Sequence, residues 1–330
     1  MKTFIIAEAG VNHNGSLKNA FKLVDIAIAA NVDAIKFQTF NPKLLASKHA
    51  ETAPYQKNID KSNSQLEMLT RINLSKEKQR KIFEYCNLKK IKFMSSPFDI
   101  ESSEFLFELG LDTIKIPSGE ITNLPLLRHI GKSGRKIILS SGLSTLSEVR
   151  NGLNVLINSG TDKEKITILH ANSMYPSPIE DINLKAMLTI KEELKVPVGY
   201  SDHSLGIDVP IIAVALGATV IEKHFTIDKK MDGPDHKASL NPDELSLMVK
   251  KIRETETILG SEIKKPTKSE MVNITSVRKS IVASSAILKG ELFTEDNIAT
   301  KRPAVGLSPM LWDEVIGQRA EKNYEPDDFL

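Results

Sequence analysis

Residues 196–240 read VPVGYSDHSLGIDVPIIAVALGATVIEKHFTIDKKMDGPDHKASL. Two runs rich in β-branched residues, Val196–Tyr200 and Val220–Ile221, each lead into ionisable groups. Ser201, Asp202 and His203 follow the first, and Glu222, Lys223 and His224 follow the second. Val209–Ala218 between them is apolar and long enough for a helix. This order predicts strand, crossover helix and parallel strand, with a histidine at the same end of each strand. In parallel α/β proteins the carboxyl ends of the strands carry the site. Two neutral imidazoles brought together there suit a divalent transition metal. One histidine alone would be read as a surface or core residue. Two at equivalent positions of consecutive βα units carry the metal reading.

Working outward, short β-branched runs alternate with helical patterns nearly to residue 260. The predicted strands are Phe4–Glu8, Ala34–Gln38, Lys92–Ser96, Thr113–Ser118, Lys136–Ser140, Ile166–Ala171, Val196–Tyr200 and Val220–Glu222. Leu17, Ala20, Phe21, Val24, Ala27 and Ile28 repeat at helical spacing behind Ser16, a suitable N-cap. Thr145–Glu148 and Asn241–Glu244 read as capping boxes, the second with Pro242 at the first helical position. Eight strands, each followed by a helix, in roughly 260 residues are the count and size of a (β/α)8 TIM barrel. An open doubly wound sheet is the rival, but no strand leads into a G-x-G-x-x-G turn. The connection 41–75 is long, and over a barrel mouth such a segment reads as a functional lid; within it Gln65–Ile72 looks helical. A polar stretch, 261–274, then reads as a linker. Residues 275–330 read as a second domain, close to the lower size limit for independent stability.

Composition narrows the function classes. Lys plus Arg number 44 against 42 Asp plus Glu, a formal net charge of +2. That balance argues against nucleic-acid and membrane partners. No run approaches the ~18 apolar residues of a membrane span, and MKTFIIAEAG reads as a strand rather than a signal peptide. The single cysteine, Cys86, excludes an internal disulfide and fits a cytoplasmic protein. It lies in an amphipathic segment and reads as a structural thiol.

The predicted strand ends, taken together, are rich in polar groups. Lys36 and Lys115 lie within strands, where a desolvated ammonium is costly unless paired. With Ser96, Ser118, Ser140 and Ser201 they make a cradle for a doubly charged anion, most simply a phosphate. A Schiff-base lysine is the rival reading of the same residues. Glu8 is the acid of the first strand, suited to general-base work or to orienting a lysine. Gly233-Pro234-Asp235 is a turn by itself; near His224, Asp235 becomes a candidate ligand for a substrate hydroxyl.

The motifs AEAGVNHNGS (7–16), IKFQTF (35–40), SSPFD (95–99), KIPSGE (115–120), ILSSG (138–142), YPSP (175–178), GYSDHS (199–204), IEKHF (221–225) and GPDHKAS (233–239) resemble the sialic (nonulosonic) acid synthase family. RKSIVA (278–283), KGELFTEDNIATKRP (289–303) and GLSPMLWDEVIG (306–317) resemble the antifreeze-like (SAF, β-clip) domain that follows the barrel in that family. The resemblance implies condensation of phosphoenolpyruvate with an N-acylated mannosamine-type sugar, releasing phosphate. N-acetylmannosamine, giving N-acetylneuraminate, is the first reading. 2,4-Diacetamido-2,4,6-trideoxymannose, giving N,N'-diacetyllegionaminate, is the alternative, and a lysine aldolase is a more distant one. His203 and His224 match the family's ligands for a divalent ion, Mn2+ first, with Mg2+ or Co2+ as substitutes. Lys36, Ser96, Lys115, Ser118, Ser140 and Ser201 match positions around phosphoenolpyruvate. Gln38, Tyr175, Glu222 and Asp235 match the sugar side, and Glu8 matches the acid near the reacting carbon. Arg302 matches an arginine that reaches the N-acyl group across a domain-swapped homodimer. Ala171-Asn172-Ser173-Met174 departs from the family pattern, so no role carries over to Ser173.

Overall fold

The computed structural model describes residues 2–50 and 64–330 and divides them into two units, one ending at Gly260 and one at Ser261–Leu330. The first is an eight-stranded parallel sheet: β1 (Phe4–Gly10), β2 (Ala34–Thr39), β3 (Lys92–Pro97), β4 (Thr113–Ile116), β5 (Lys136–Ser140), β6 (Ile166–Ala171), β7 (Val198–Asp202) and β8 (Val220–His224). The ladder runs β3-β2-β1-β8-β7-β6-β5-β4, and β3 lies against β4, closing a (β/α)8 barrel. Two expected boundaries move because of proline. Pro197 has no N–H for the ladder, so β7 starts at Val198, and Pro117 ends β4 before a 3-10 turn at Ser118–Glu120. β8 instead runs further, through His224. The helix expected over Val209–Ala218 is Asp208–Ala215, and Gly217 follows it at φ +93°.

Period-two alternation sorts the strand residues into two cores. Ile5, Phe37, Ile116, Leu139, Ile168, Tyr200 and Ile221 face outward, under the helical layer. Ile6, Ala34, Met94, Ile138, Leu169 and Val220 face inward and fill the barrel as an apolar plug. Two residues further along the same strands, this parity yields Glu8, Lys36, Ser96, Ser140 and Glu222. The sequence therefore stacks a polar ring directly on the plug.

Several helices begin where side chains satisfy their first N–H groups. The Ser16 hydroxyl accepts from Asn19 N–H ahead of Leu17–Ala29. Both expected capping boxes form, ahead of Leu146–Ser159 and Pro242–Leu259. In the connection after β2, Pro42–Leu45 and Gln65–Ile72 are helical. The rest of the expected lid, 51–63, lies outside the described residues. Cys86 is buried, and burial pushes its thiol up to about 12, as suits a structural residue.

Opposite the mouth, Asp33 ties the barrel floor together. It accepts from Ile5 N–H at 2.9 Å, Lys2 Nζ at 2.9 Å and Arg253 of the last helix at 2.6 Å. Burial opposes its charge, but these donors outweigh burial and hold the carboxyl below its usual range. A depressed folded-state pKa stabilises the fold above the unfolded value of 3.8, and that contribution is lost as pH falls through the folded value. Asp33→Asn is therefore expected to cost about 1.5–3 kcal/mol at pH 7. In urea unfolding, the gap from the parent should close as pH drops below 3.8.

In the second unit, β9 (Ser280–Ala283) pairs antiparallel with β10 (Ile298–Lys301). Ile281, Ile287, Phe293, Ile298 and Val315 form its core, with Trp312 and Tyr324 packed on it. The polar stretch ahead of it holds two one-turn helices, Lys268–Met271 and Ile274–Val277, the first closed by a Thr267–Glu270 capping box.

Candidate active site

The polar ring opens into a cavity of about 460 Å³ at the carboxyl ends of the strands. Every site residue expected from the sequence within the first unit lines it. Glu8 comes from β1, Lys36 and Gln38 from β2, Ser96 from β3 and Lys115 from β4; Ser140 comes from β5 and Glu222 and His224 from β8. Ser118, Tyr175, Ser201, His203 and Asp235 complete the set. Arg302 belongs to the second unit, where its Nε donates to the Val277 carbonyl at 2.8 Å.

Four buried charges interlock at the base. Glu8 and Lys36 are register partners on adjacent strands, so both point inward and pair at 2.8 Å. Lys36 also stands 3.6 Å from Glu222 and donates to Ser96 Oγ at 3.0 Å. Lys115 stands 3.6 Å from Glu222 and donates to Ser140 Oγ at 2.7 Å. Ser201 donates to Glu222 Oε1 at 2.9 Å.

These contacts set the protonation states. Burial opposes ionisation of Glu222, yet Lys115 and Lys36 outweigh it and hold the carboxyl down to about 2. Burial also opposes charge on Lys36, but Glu222 and Glu8 hold its ammonium above the usual value. Burial prevails at Lys115, brought down to about 8, and at Glu8, pushed up to about 7 against the pull of Lys36. Glu8 can therefore take up and release a proton near neutral pH.

The two histidines face the same cavity with ring centroids 5.5 Å apart. Burial, above all, lowers His203 to about 4, and it lowers His224 well below its ordinary value. Both are neutral near pH 7, as metal ligation requires. His203 Nδ1 lies 2.5 Å from the Asn172 carbonyl, which can only accept, so Nδ1 carries the hydrogen and Nε2 the lone pair. His224 Nδ1 is buried and makes no hydrogen bond among the described residues; Asp235 Oδ2 stands 3.8 Å away, and burial raises that carboxyl to about 6. Among the described residues, no three His, Cys, Asp or Glu side chains converge on a common metal position. The donor set fits a divalent ion with two protein ligands, its other positions being left for water or substrate.

Gly10 is required beside these groups. It sits at a register shift in β1 with φ +51°. A Cβ there would lie 3.1 Å from His224 Cε1 and 3.4 Å from Glu8 Oε1. Gly10→Ala is expected to lower stability by roughly 1–2 kcal/mol through the backbone alone. Displacing the His224 imidazole should cost at least about tenfold in turnover. Thermal midpoint and phosphate-release rate check the two effects.

Alternation also explains which strand-end residues stay out of the cavity. Lys223 and Asp202 are register partners on the outward face and pair with each other in full burial, and Lys223 also donates to the Ser204 carbonyl. His170, on the outward face of β6, lies 2.8 Å from the Ile182 carbonyl. Sequence reasoning missed an apolar wall: Val11, Met68, Leu69, Ile72 and Phe98 line the cavity on one side. The helix Gln65–Ile72 has an apolar face legible in sequence, but that pattern alone does not say the face lines a cavity. Ser173, left without a role, lines the cavity as well.

Comparisons with known proteins give the family and the fold. Residues 23–264 match the NeuB family and residues 278–330 match the SAF domain. The chain is 50% identical over 330 residues to the N,N'-diacetyllegionaminic acid synthase of Campylobacter jejuni, covering 100% of this chain and 99% of that one. It is 44% identical over 326 residues to the Legionella pneumophila N,N'-diacetyllegionaminic acid synthase, covering 98% and 92%. The crystal structure of the N-acetylneuraminic acid (sialic acid) synthetase of Leptospira borgpetersenii, in complex with citrate, matches with TM-score 0.74 and 34% identity over 83% of this chain and 90% of that one. The chain belongs to the NeuB family of nonulosonic acid synthases and carries a SAF domain at its C-terminal end.

Proposed function

We propose that the chain joins phosphoenolpyruvate to 2,4-diacetamido-2,4,6-trideoxymannose, forming N,N'-diacetyllegionaminate and phosphate. The sequence alone put N-acetylmannosamine first. The order is reversed because one observation supports a 6-deoxy sugar: the apolar wall of Val11, Met68, Leu69, Ile72 and Phe98. A methyl group buried there gains about 0.8 kcal/mol, whereas a hydroxyl without a partner costs about 1–3 kcal/mol. Together these favour the deoxy sugar by roughly 20- to 600-fold. The two legionaminic acid synthases among the relatives agree with that choice.

In this reading Lys36 and Lys115, with Ser96, Ser118 and Ser140, hold the phosphate. C3 of phosphoenolpyruvate bonds to the aldehyde carbon of the open-chain sugar, and water adds at C2. Glu8 orients that water and takes its proton, which the former aldehyde oxygen receives as it becomes a hydroxyl. The C–O bond to phosphate then breaks as the C2 hydroxyl becomes the ketone and gives its proton to the phosphate. Glu222, ionised between the two lysines, steadies positive charge developing at C2. Gln38, Tyr175 and Asp235 orient the sugar. His203 and His224 would hold a divalent ion, Mn2+ first, which when bound supplies Lewis acidity at the sugar's carbonyl oxygen. Arg302 is proposed to meet the N-acyl group from a second copy of the chain. Among the described residues no helix is long and apolar enough to cross a membrane.

The test is phosphate release from phosphoenolpyruvate with Mn2+, comparing the two sugars at matched concentrations. Preference for N-acetylmannosamine would overturn the choice of sugar, and no release with either would overturn the condensation. The lowered Lys115 favours one second reading, a Schiff-base aldolase. Borohydride with pyruvate would then trap an adduct on Lys115, which the condensation does not predict.

A further inference from the structure

We infer that Tyr175 couples cation binding to sugar binding by moving its hydroxyl from His203 to the substrate. The loop after β6 wraps His203 on three sides. The Asn172 carbonyl takes the Nδ1 hydrogen, Ser177 N–H donates to the His203 carbonyl at 2.9 Å, and the Tyr175 hydroxyl lies 2.9 Å from Nε2. With Nδ1 protonated, Nε2 can only accept, so the Tyr175 hydroxyl is the donor. The tyrosine ring lies against both imidazoles, with centroids 4.0 Å from His203 and 5.7 Å, edge-on, from His224.

A cation held by His203 would take the Nε2 lone pair. The hydroxyl and the cation therefore compete for the same lone pair, and the hydroxyl must leave as the cation arrives. Tyr175 also lines the cavity that Asp235 and Gln38 face. A hydroxyl displaced there becomes a donor for a sugar oxygen. Each ligand thus strengthens the other, by the same factor in both directions. A tyrosine that served only to pack the two rings would create no such dependence.

The second arm of the test rests on the condensation reading; the first does not. The full chain and Tyr175→Phe are titrated with Mn2+, following the signal of the free ion by electron paramagnetic resonance, with and without the sugar. Phenylalanine keeps the ring contacts, and an unchanged thermal midpoint checks that the fold is intact. Freed from the competing hydrogen bond, Tyr175→Phe should bind Mn2+ alone roughly 2- to 10-fold more tightly. The gain in sugar affinity caused by Mn2+ should shrink by a similar factor. Unchanged or weaker Mn2+ binding in the variant overturns the inference, as does a parent chain that binds no Mn2+. Phosphate release in the same preparations separates the two ideas. Turnover by the parent with no tightening in the variant removes only the coupling, whereas tightening without parental turnover removes only the condensation.

Discussion

Lys36→Met is expected to abolish measurable condensation and to destabilise the barrel in a pH-dependent way. Lys36 is buried between Glu8 at 2.8 Å and Glu222 at 3.6 Å and also holds Ser96. Methionine fills a similar volume without the charge. Removing one partner from a buried charge network costs about 3–5 kcal/mol, because the remaining charge is left without compensation. Glu8, already up at about 7, would rise further without Lys36. For a group with a raised folded-state pKa, stability is fully present below the unfolded value of 4.5 and is lost as pH rises through the folded value. The stability gap between Lys36→Met and the parent should therefore widen as pH rises and Glu8 ionises, and shrink on acidification toward 4.5. Turnover should fall by at least ~10³-fold, since the phosphate loses a preorganised cation and Glu8 its counter-charge. A variant as stable as the parent at pH 8 would show that Lys36 is not the clamp of this network.

His203→Ala should remove turnover and cost about 1–3 kcal/mol of stability, because the Asn172 carbonyl and the Tyr175 hydroxyl lose their buried partner. His203 and His224 are the two imidazoles the cavity offers a cation, and no third His, Cys, Asp or Glu side chain among the described residues converges with them. A site with only two protein ligands has no spare ligand. Phosphate release is expected to drop at least ~10³-fold, because Lewis-acid stabilisation of several kcal/mol disappears. Retained Mn2+ binding and turnover in His203→Ala would dismiss the histidine pair as the cation site. A chelator added to the parent chain should imitate the substitution reversibly, with added Mn2+ restoring the rate.

The period of two along each strand made most of the candidate site legible. Ile6-x-Glu8, Ala34-x-Lys36, Met94-x-Ser96 and Val220-x-Glu222 put the polar residue on the same face as an apolar partner two positions earlier. The residues between, such as Phe37 and Lys223, face the other way. A bare inventory of strand ends does not separate Lys223 from Glu222; the alternation does. The apolar wall escaped notice for a different reason. Met68, Leu69 and Ile72 are ordinary amphipathic-helix residues, and only folding decides that their face also lines a cavity.

What the sequence determined by itself was local and periodic: eight strands, capped helices, a boundary near Gly260, and two imidazoles at equivalent positions of neighbouring units. These follow from alternation, capping chemistry and spacing, which need no partner distant in the chain. The tertiary structure decided which groups meet and in which charge state. Glu8 and Glu222 are similar carboxylates in sequence, yet barrel closure places Glu222 between two lysines and gives Glu8 one close lysine under full burial. One carboxyl is held ionised and the other is raised to about 7. The balance between desolvation and Coulomb attraction depends on distances across the barrel, and those exist only after it closes.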